Sequence, residues 1–419
     1  MPSISDRLKA LGVDLGGESL KPAKRSKRVP IEEVVDGELQ STPFGDAFVV
    51  DQLFSPDYVH GSKPLRFPPA LDKVAAWARD ARIAAIEPSG FLFLDTETTG
   101  LASGSGTFAF LVGGGRFEEG GFRHLQFFLR DPIEEPALLS ALEAFAAPCD
   151  ALVTFNGKAF DLPLLTARYL TNAAPSPFDD WPHLDLLHLA RRLWRERLPS
   201  RTLGDLEHEI LSLPRSSEDI PGFMIPEMYI EYLRTGDARP LAGIFYHNQM
   251  DVLSMAALLE HMARLLEAPL EGRAEHHSEL YAIGRLYADL GFAEEAIQVF
   301  RSTMAYDLDG DTRYRLVENL AWLHRRRGEY EQALELWEGA TKEGHVYAHI
   351  EIAKYYEHRV KEYGRAVSYT QAAMKLIKKR STARFERLHW QPLLEHRLQR
   401  LKRRLANQNA GEGKKTDED

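Results

Sequence analysis

The stretch that most constrains how this chain can fold is Phe91-Leu92-Phe93-Leu94-Asp95-Thr96-Glu97-Thr98-Thr99-Gly100. Four apolar residues in a row after Gly90 predict a buried strand. Two acids, Asp95 and Glu97, stand two apart at its end. Alternate residues of a strand point the same way, so both carboxylates face one side of the sheet and repel. A divalent cation, which takes oxygen ligands, is the usual way to stabilise such a pair. The plainer reading is a strand end with two solvated acids, and the spacing alone does not choose between the two.

At 419 residues the chain is too long for one ordinary compact domain, and its 44% apolar content is ample for two cores. A net charge of −10 argues against a generally basic nucleic-acid coat, while leaving room for a local basic groove. The single cysteine, Cys149, excludes an internal disulfide framework and a Cys-based zinc site, and suits a reducing cytoplasm. No apolar run approaches the roughly 18 residues of a membrane span, and no signal-peptide core is present. The expectation is a soluble, cytoplasmic protein with no membrane partner.

Residues 1–87 read as an N-terminal extension, partly disordered. Ile4, Leu8, Leu11 and Val13 predict a short amphipathic helix, and the basic run Lys21 to Arg28 reads as a solvated linker. Residues 31–88 read as a lead-in layer, with helical spacing from Leu71 to Ile86. From Gly90 the pattern turns to strands: Phe91–Asp95, Thr107–Val112 and Phe122–Arg130, an antiparallel meander with glycine-rich turns at 102–106 and 113–115. A helix over Pro136–Ala147, a strand Ala151–Phe155, a helix Phe160–Leu170, a strand His183–Leu187 and a helix Leu189–Trp194 follow. Strands of both orientations with interposed helices make an α/β layout. The glycines do not form a phosphate loop, because Gly-x-Lys-Ser/Thr is missing.

Two more acids are candidates. Asp161 lies in the first turn of the helix after Asn156-Gly157-Lys158, where a carboxylate also complements the helix dipole. Asp251 lies on a long helix opened by Pro240, four residues after His247. Four residues project to about 40° on a helix, so His247 and Asp251 share a face, whereas Tyr246 stands about 140° away from Asp251. Taken singly, each has a plain structural explanation.

Together, these residues resemble a known pattern. Asp95-Thr96-Glu97-Thr98-Thr99-Gly100-Leu101 is similar to the first motif of the DEDD 3′–5′ exonucleases, which have the ribonuclease H-like fold. Phe155-Asn156-Gly157 with Phe160-Asp161-Leu162-Pro163 resembles the second, and His247 to Asp251 the third. The likeness spans roughly residues 88 to 265. More narrowly, the chain resembles a bacterial group that joins such a domain to tetratricopeptide repeats, with counterparts to Gly104–Val112 and to Asp185–Leu193. The resemblance implies a site of four carboxylates, Asp95, Glu97, Asp161 and Asp251, holding two Mg²⁺ or Mn²⁺ ions. One ion would be shared by Asp95, Glu97 and Asp251, the other held mainly by Asp95. The general base of the family is a His five before the last Asp or a Tyr four before it. Here the order is reversed, and the helical projection favours His247, with Tyr246 as runner-up. Asp185 is a candidate fifth acid. Thr98, Asn156 and Lys158 are candidate substrate contacts, and Arg201 a candidate phosphate contact. The loop Asp219 to Pro226 has no assigned chemistry.

From about Ser278 the chain reads as wholly helical and repeats. Gly284, Tyr287, Gly291, Ala296 and Phe300 recur 37 positions later as Ala321, His324, Gly328, Ala333 and Trp337. Ala353, Tyr356, Ala366 and Thr370 give a third copy, stretched by one residue. Small residues let paired helices cross closely and aromatics fill between them, a tetratricopeptide-like pattern that offers a surface to a protein partner. An ordinary helical bundle is the simpler alternative. The last helix is basic, either a nucleic-acid track or a solvated face, and a disordered tail is expected from 406.

The resulting layout is an α/β ribonuclease H-like domain over 88–268, a mixed sheet flanked by helices, followed by all-α repeats over 276–405. The function implied is a metal-dependent 3′–5′ exonuclease acting on the single-stranded 3′ end of DNA or RNA. The alternative is an inactive nucleic-acid-binding scaffold that recruits proteins through its repeats.

Overall fold

The computed structural model describes residues 28–100, 106–213, 219–379 and 384–416. The expected helix over 1–20, residues 21–27 of the basic run and most of the 102–106 turn lie outside the described residues. The chain divides into two compact units, one from residues up to 191 with 198–267, the other from 192–197 with 268 onward.

The first unit is built on a seven-stranded sheet. Its elements in chain order are β1 (Glu38–Thr42), β2 (Gly45–Phe54), the small hairpin β3 (Val59–His60) and β4 (Lys63–Pro64), and the short helices α1 (Asp72–Ala78) and α2 (Arg82–Ala85). Then come β5 (Phe91–Thr98), β6 (Ala109–Glu118), β7 (Gly121–Phe128), α3 (Glu135–Ala146), β8 (Ala151–Thr154), α4 (Asp161–Thr171), β9 (His183–Asp185), α5 (Leu186–Trp194), α6 (Leu203–Glu209), α7 (Ile225–Thr235) and α8 (Ala242–Glu267). The strand order is β1-β2-β7-β6-β5-β8-β9. The first five strands pair antiparallel, and β8 and β9 continue the sheet parallel to β5.

Phe91, Leu92, Phe93 and Leu94 are all buried, as a central strand with helices on both sides requires. Burial of each such side chain contributes about 1.5–3 kcal/mol. Three expectations change. The sheet begins well before residue 88, because β2 pairs with β7 over Phe48 to Phe54. The helix expected over Leu71–Ile86 is broken in two at Arg79, which adopts a left-handed φ of 58°. Gly113, Gly114 and Gly115 are not a turn but the middle of β6. A Cβ on Gly113 would lie 2.3 Å from Asn248 Oδ1 of α8, and one on Gly115 2.8 Å from Val252. On the opposite face a Cβ on Gly114 would lie 3.1 Å from the Phe145 ring of α3. The bare strand lets α8 settle directly on the sheet.

A buried ion pair ties α4 to α3. Arg168 Nε and Nη2 donate to Glu135 at 2.6 and 2.5 Å, and Asn172 adds a third bond at 2.7 Å. This fixes the helix that Asp161 opens.

The second unit is all helical: α9 (His277–Leu290), α10 (Ala293–Thr303), α11 (Gly310–Arg327), α12 (Tyr330–Lys342), α13 (Val346–Tyr355), α14 (Tyr363–Ile377) and α15 (Arg384–Thr416). α9 and α11 stop at Gly291 and Gly328 with φ of 89° and 81°, the left-handed stop that glycine adopts freely. In the third pair this place falls to Lys361, and the stretch from Ala353 to it is one residue longer than from Ala321 to Gly328. A five-residue π turn, Tyr356–Val360, takes up the extra residue.

Three arginines of the basic last helix depart from both readings, whereas Lys402 and Arg403 are exposed. Arg397, Arg400 and Arg404 all bind the buried carboxylate of Glu357, so they are neither a free track nor simply solvated. The helix also runs on to Thr416, past residue 406 where a disordered tail was expected. Among the described residues no helix is long and apolar enough to cross a membrane.

Candidate functional site

The parallel pairing of β5 with β8 ends at Phe93 and Val153. β5 then runs on past its pairing with β8, still held by β6 on its other edge, and carries Asp95 and Glu97 beyond that pairing. In open α/β sheets that crevice is where ligands bind. Asp95 pairs across the sheet with Gly113. Through the space this glycine leaves, Asn248 Nδ2 donates to Asp95 Oδ2 at 2.9 Å. Asn248 Oδ1 in turn accepts from Gln126 Nε2 at 3.0 Å, and Gln126 also donates to the Phe245 carbonyl at 2.8 Å. A buried amide chain therefore orients the first acid.

Asp161, the first residue of α4, comes from the other side. It is buried, and its Oδ1 accepts a hydrogen bond from Thr96 Oγ1 at 2.5 Å. Burial, reinforced by repulsion from Asp95, pushes its carboxyl up to about 7 in spite of that bond. The two acids are thus crowded in a poorly solvated place.

α8 supplies the third wall. His247 Nε2 lies 3.8 Å from Glu97 Oε1 and 3.7 Å from Asp251 Oδ2. Its other nitrogen, Nδ1, is 2.7 Å from Asp219 Oδ1. Glu97, Asp161 and Asp251 line a single cleft of about 570 Å³, together with Thr98 and Asn156. Among the described residues no three His, Cys, Asp or Glu donors converge on one ion-sized point; the acids line the walls instead. The donor set is nonetheless the kind a hard divalent ion takes. It is made of carboxylates, with Asp161 raised by burial and by repulsion from Asp95.

The remaining candidates separate. Asp185 is buried, and its two oxygens accept from the backbone N–H groups of Asn156, Lys158 and Leu187 at 2.8, 3.2 and 3.1 Å. It holds the turn that Asn156 enters with φ of 70°, rather than lining the cleft as a fifth acid. Thr98 donates to the Gly100 carbonyl at 2.9 Å. Lys158 is exposed. Arg201 donates to the carbonyls of Leu198 and Pro199, so its charge serves its own loop. Tyr246 acts on Tyr58, whose phenol it helps raise after burial.

Two residues at the site were missed from sequence. Asn248 carried a weak signal, an amide between His247 and Gln249 and three residues before Asp251. Asp219 carried none, because its partner lies 28 residues away.

Residues 92–263 match the RNase_H superfamily. The chain is also 33% identical over 326 residues to the uncharacterised protein YprB of Bacillus subtilis (strain 168), an alignment that spans 76% of each chain.

Proposed function

We propose that this chain, which belongs to the family of Bacillus subtilis YprB and carries a ribonuclease H superfamily domain, is a metal-dependent 3′–5′ exonuclease of the DEDD type. Superfamily membership suggests a nuclease. The observation that carries the finer reading is the meeting of Glu97, Asp161 and Asp251 in one cleft, with Asp95 close enough to displace Asp161. A fold gains nothing from crowding acids there unless a cation joins them.

Asp95, Glu97, Asp161 and Asp251 would hold two Mg²⁺ or Mn²⁺ ions, which would supply activation of water and relief of charge on the oxygens of a phosphodiester. His247 takes the water's proton at Nε2, the nitrogen that faces Glu97 and Asp251. Asn248 keeps Asp95 in place. Lys158 and Asn156 border the path of a single strand of DNA or RNA. The helical pairs of the second unit are tetratricopeptide-like and offer a protein partner their surface. The lone, buried Cys149 suits a reducing cytoplasm.

The test is a 5′-labelled single-stranded oligonucleotide, as DNA and as RNA, incubated with Mg²⁺ or Mn²⁺. A ladder of shortened products that disappears in Asp95→Ala is the expected result. Metal-dependent cleavage of neither polymer would leave the scaffold reading in its place.

A further inference from the structure

The loop Asp219 to Pro226 holds a carboxylate that the reaction above does not use. Asp219 Oδ1 lies 2.7 Å from His247 Nδ1, and both side chains are shielded, at 18% and 13% exposure. An exposed His–Asp contact counts for little. This one is covered, and the far nitrogen of the same ring faces two acids of the cleft.

The contact assigns the ring atoms. A carboxylate only accepts, so the bonded Nδ1 carries the hydrogen and Nε2 of the neutral ring keeps its lone pair. We propose that Asp219 is a positioning residue, which fixes the ring plane and the Nδ1–H tautomer of His247 so that a bare Nε2 faces the reacting water. The inference rests on the reading of His247 as the base. One proton moves, from water to Nε2; Nδ1 keeps its own and Asp219 stays ionised throughout.

The chain that follows Asp219 is anchored. Ile220 packs on the main core of the unit. Pro221 limits the backbone, and its carbonyl accepts from Met224 N–H at 2.9 Å to close a one-turn helix over Gly222–Met224. Ile225 follows, fully buried, as the first residue of α7. The position of the acid also matters. A further carboxylate near four others adds repulsion, yet here the imidazole stands between Asp219 and the pair Glu97 and Asp251. A group placed there touches His247 on the side away from those two acids.

The test reads the tautomer directly, without turnover. Full-length protein with ¹⁵N-labelled histidine is examined metal-free at alkaline pH, and the His247 signals are identified by their loss in His247→Gln. The wild type should show a protonated Nδ1 and a bare Nε2. Asp219→Ala should shift His247 toward the Nε2–H form that free imidazole prefers, whereas Asp219→Asn, whose amide oxygen still accepts, should keep Nδ1–H. Asp219→Leu repeats the loss at similar volume should the alanine variant not fold. In kinetics, Asp219→Ala should lower kcat about 10- to 100-fold with KM unchanged, and Asp219→Asn should recover most of it. On a His247→Ala background, Asp219→Ala should cost nothing further. An unchanged tautomer in Asp219→Ala and Asp219→Leu, or a full additional loss on the His247→Ala background, overturns the proposal. An inactive wild type defeats the nuclease reading instead, and the tautomer then decides on its own whether Asp219 sets His247.

Discussion

Two buried carboxylates, one in each unit, live in opposite surroundings. Glu357 in the helical unit receives Arg397 at 2.6 Å, Arg400 at 2.9 Å and Arg404 at 3.3 Å. Burial draws its carboxyl upward, but the Arg400 hydrogen bond and the charges of Arg400, His358 and Arg397 hold it below its ordinary value. Asp161 in the sheet unit is held by a threonine and repelled by Asp95, and its carboxyl rises to about 7. Where the fold supplies three guanidiniums to one acid, the charge is a fastening that closes the end of the helical stack. Where it supplies a second acid instead, the charge is left for something from outside. The same residue type thus serves architecture in one unit and, on our reading, ion binding in the other.

The comparison breaks most visibly at the acids themselves. Asp161→Asn should lower metal-dependent cleavage on the order of 10³-fold while leaving the metal-free fold at least as stable, since it removes a repulsion. Cleavage rates and a thermal melt of the same preparation check both halves. Glu357→Ala should do the reverse. It leaves three arginines around an empty place and should cost about 3–5 kcal/mol in denaturant unfolding of the helical unit, with no direct effect on the cleft.

A subtler contrast lies in pH. Without metal, native Asp161 keeps its proton up to about 7, whereas the unfolded chain releases it near 3.8. The native state binds more protons in that window, so this residue makes stability fall as pH rises through it. Glu357 runs the other way. Its native carboxyl lies below the 4.5 of the unfolded chain, so its contribution is present above that pH and lost as pH falls below it. Denaturation at several pH values, wild type against Asp161→Asn and Glu357→Gln, should give difference slopes of opposite sign. Two slopes of one sign would erase the contrast.

The smallest effect concerns support of the cleft. Gly113→Ala places a methyl against Asn248 Oδ1 and should cost about 1–3 kcal/mol through overpacking, along with some displacement of Asp95. An alanine variant as stable and active as wild type would mean that the Asn248 contact is slack.

Much of this arrangement was legible in the residues because it is local. Four apolar residues ending in Asp95-x-Glu97 mark a strand and its exposed end. His247 and Asp251 share a face by helical arithmetic. The recurrence of Gly284 as Ala321 exposes the paired helices. What was illegible depends on distant partners. Nothing near Gly45–Phe54 says that it will pair with β7, a strand that begins only at Gly121. Three glycines in a row read as a turn until α8 is seen pressed against them. Asp185 looks like one more acid until three backbone N–H groups are found on it. Arg397, Arg400 and Arg404 look solvated until Glu357 appears beneath them.

The central claim, that the acids of the cleft await cations, is tested most directly by calorimetric titration of Mn²⁺ into the metal-free full-length protein. Our account predicts two ions bound by the wild type, with at least one lost in Asp161→Asn and in Asp95→Ala while the fold is retained. No uptake by the wild type, or uptake unchanged in both variants, would contradict it.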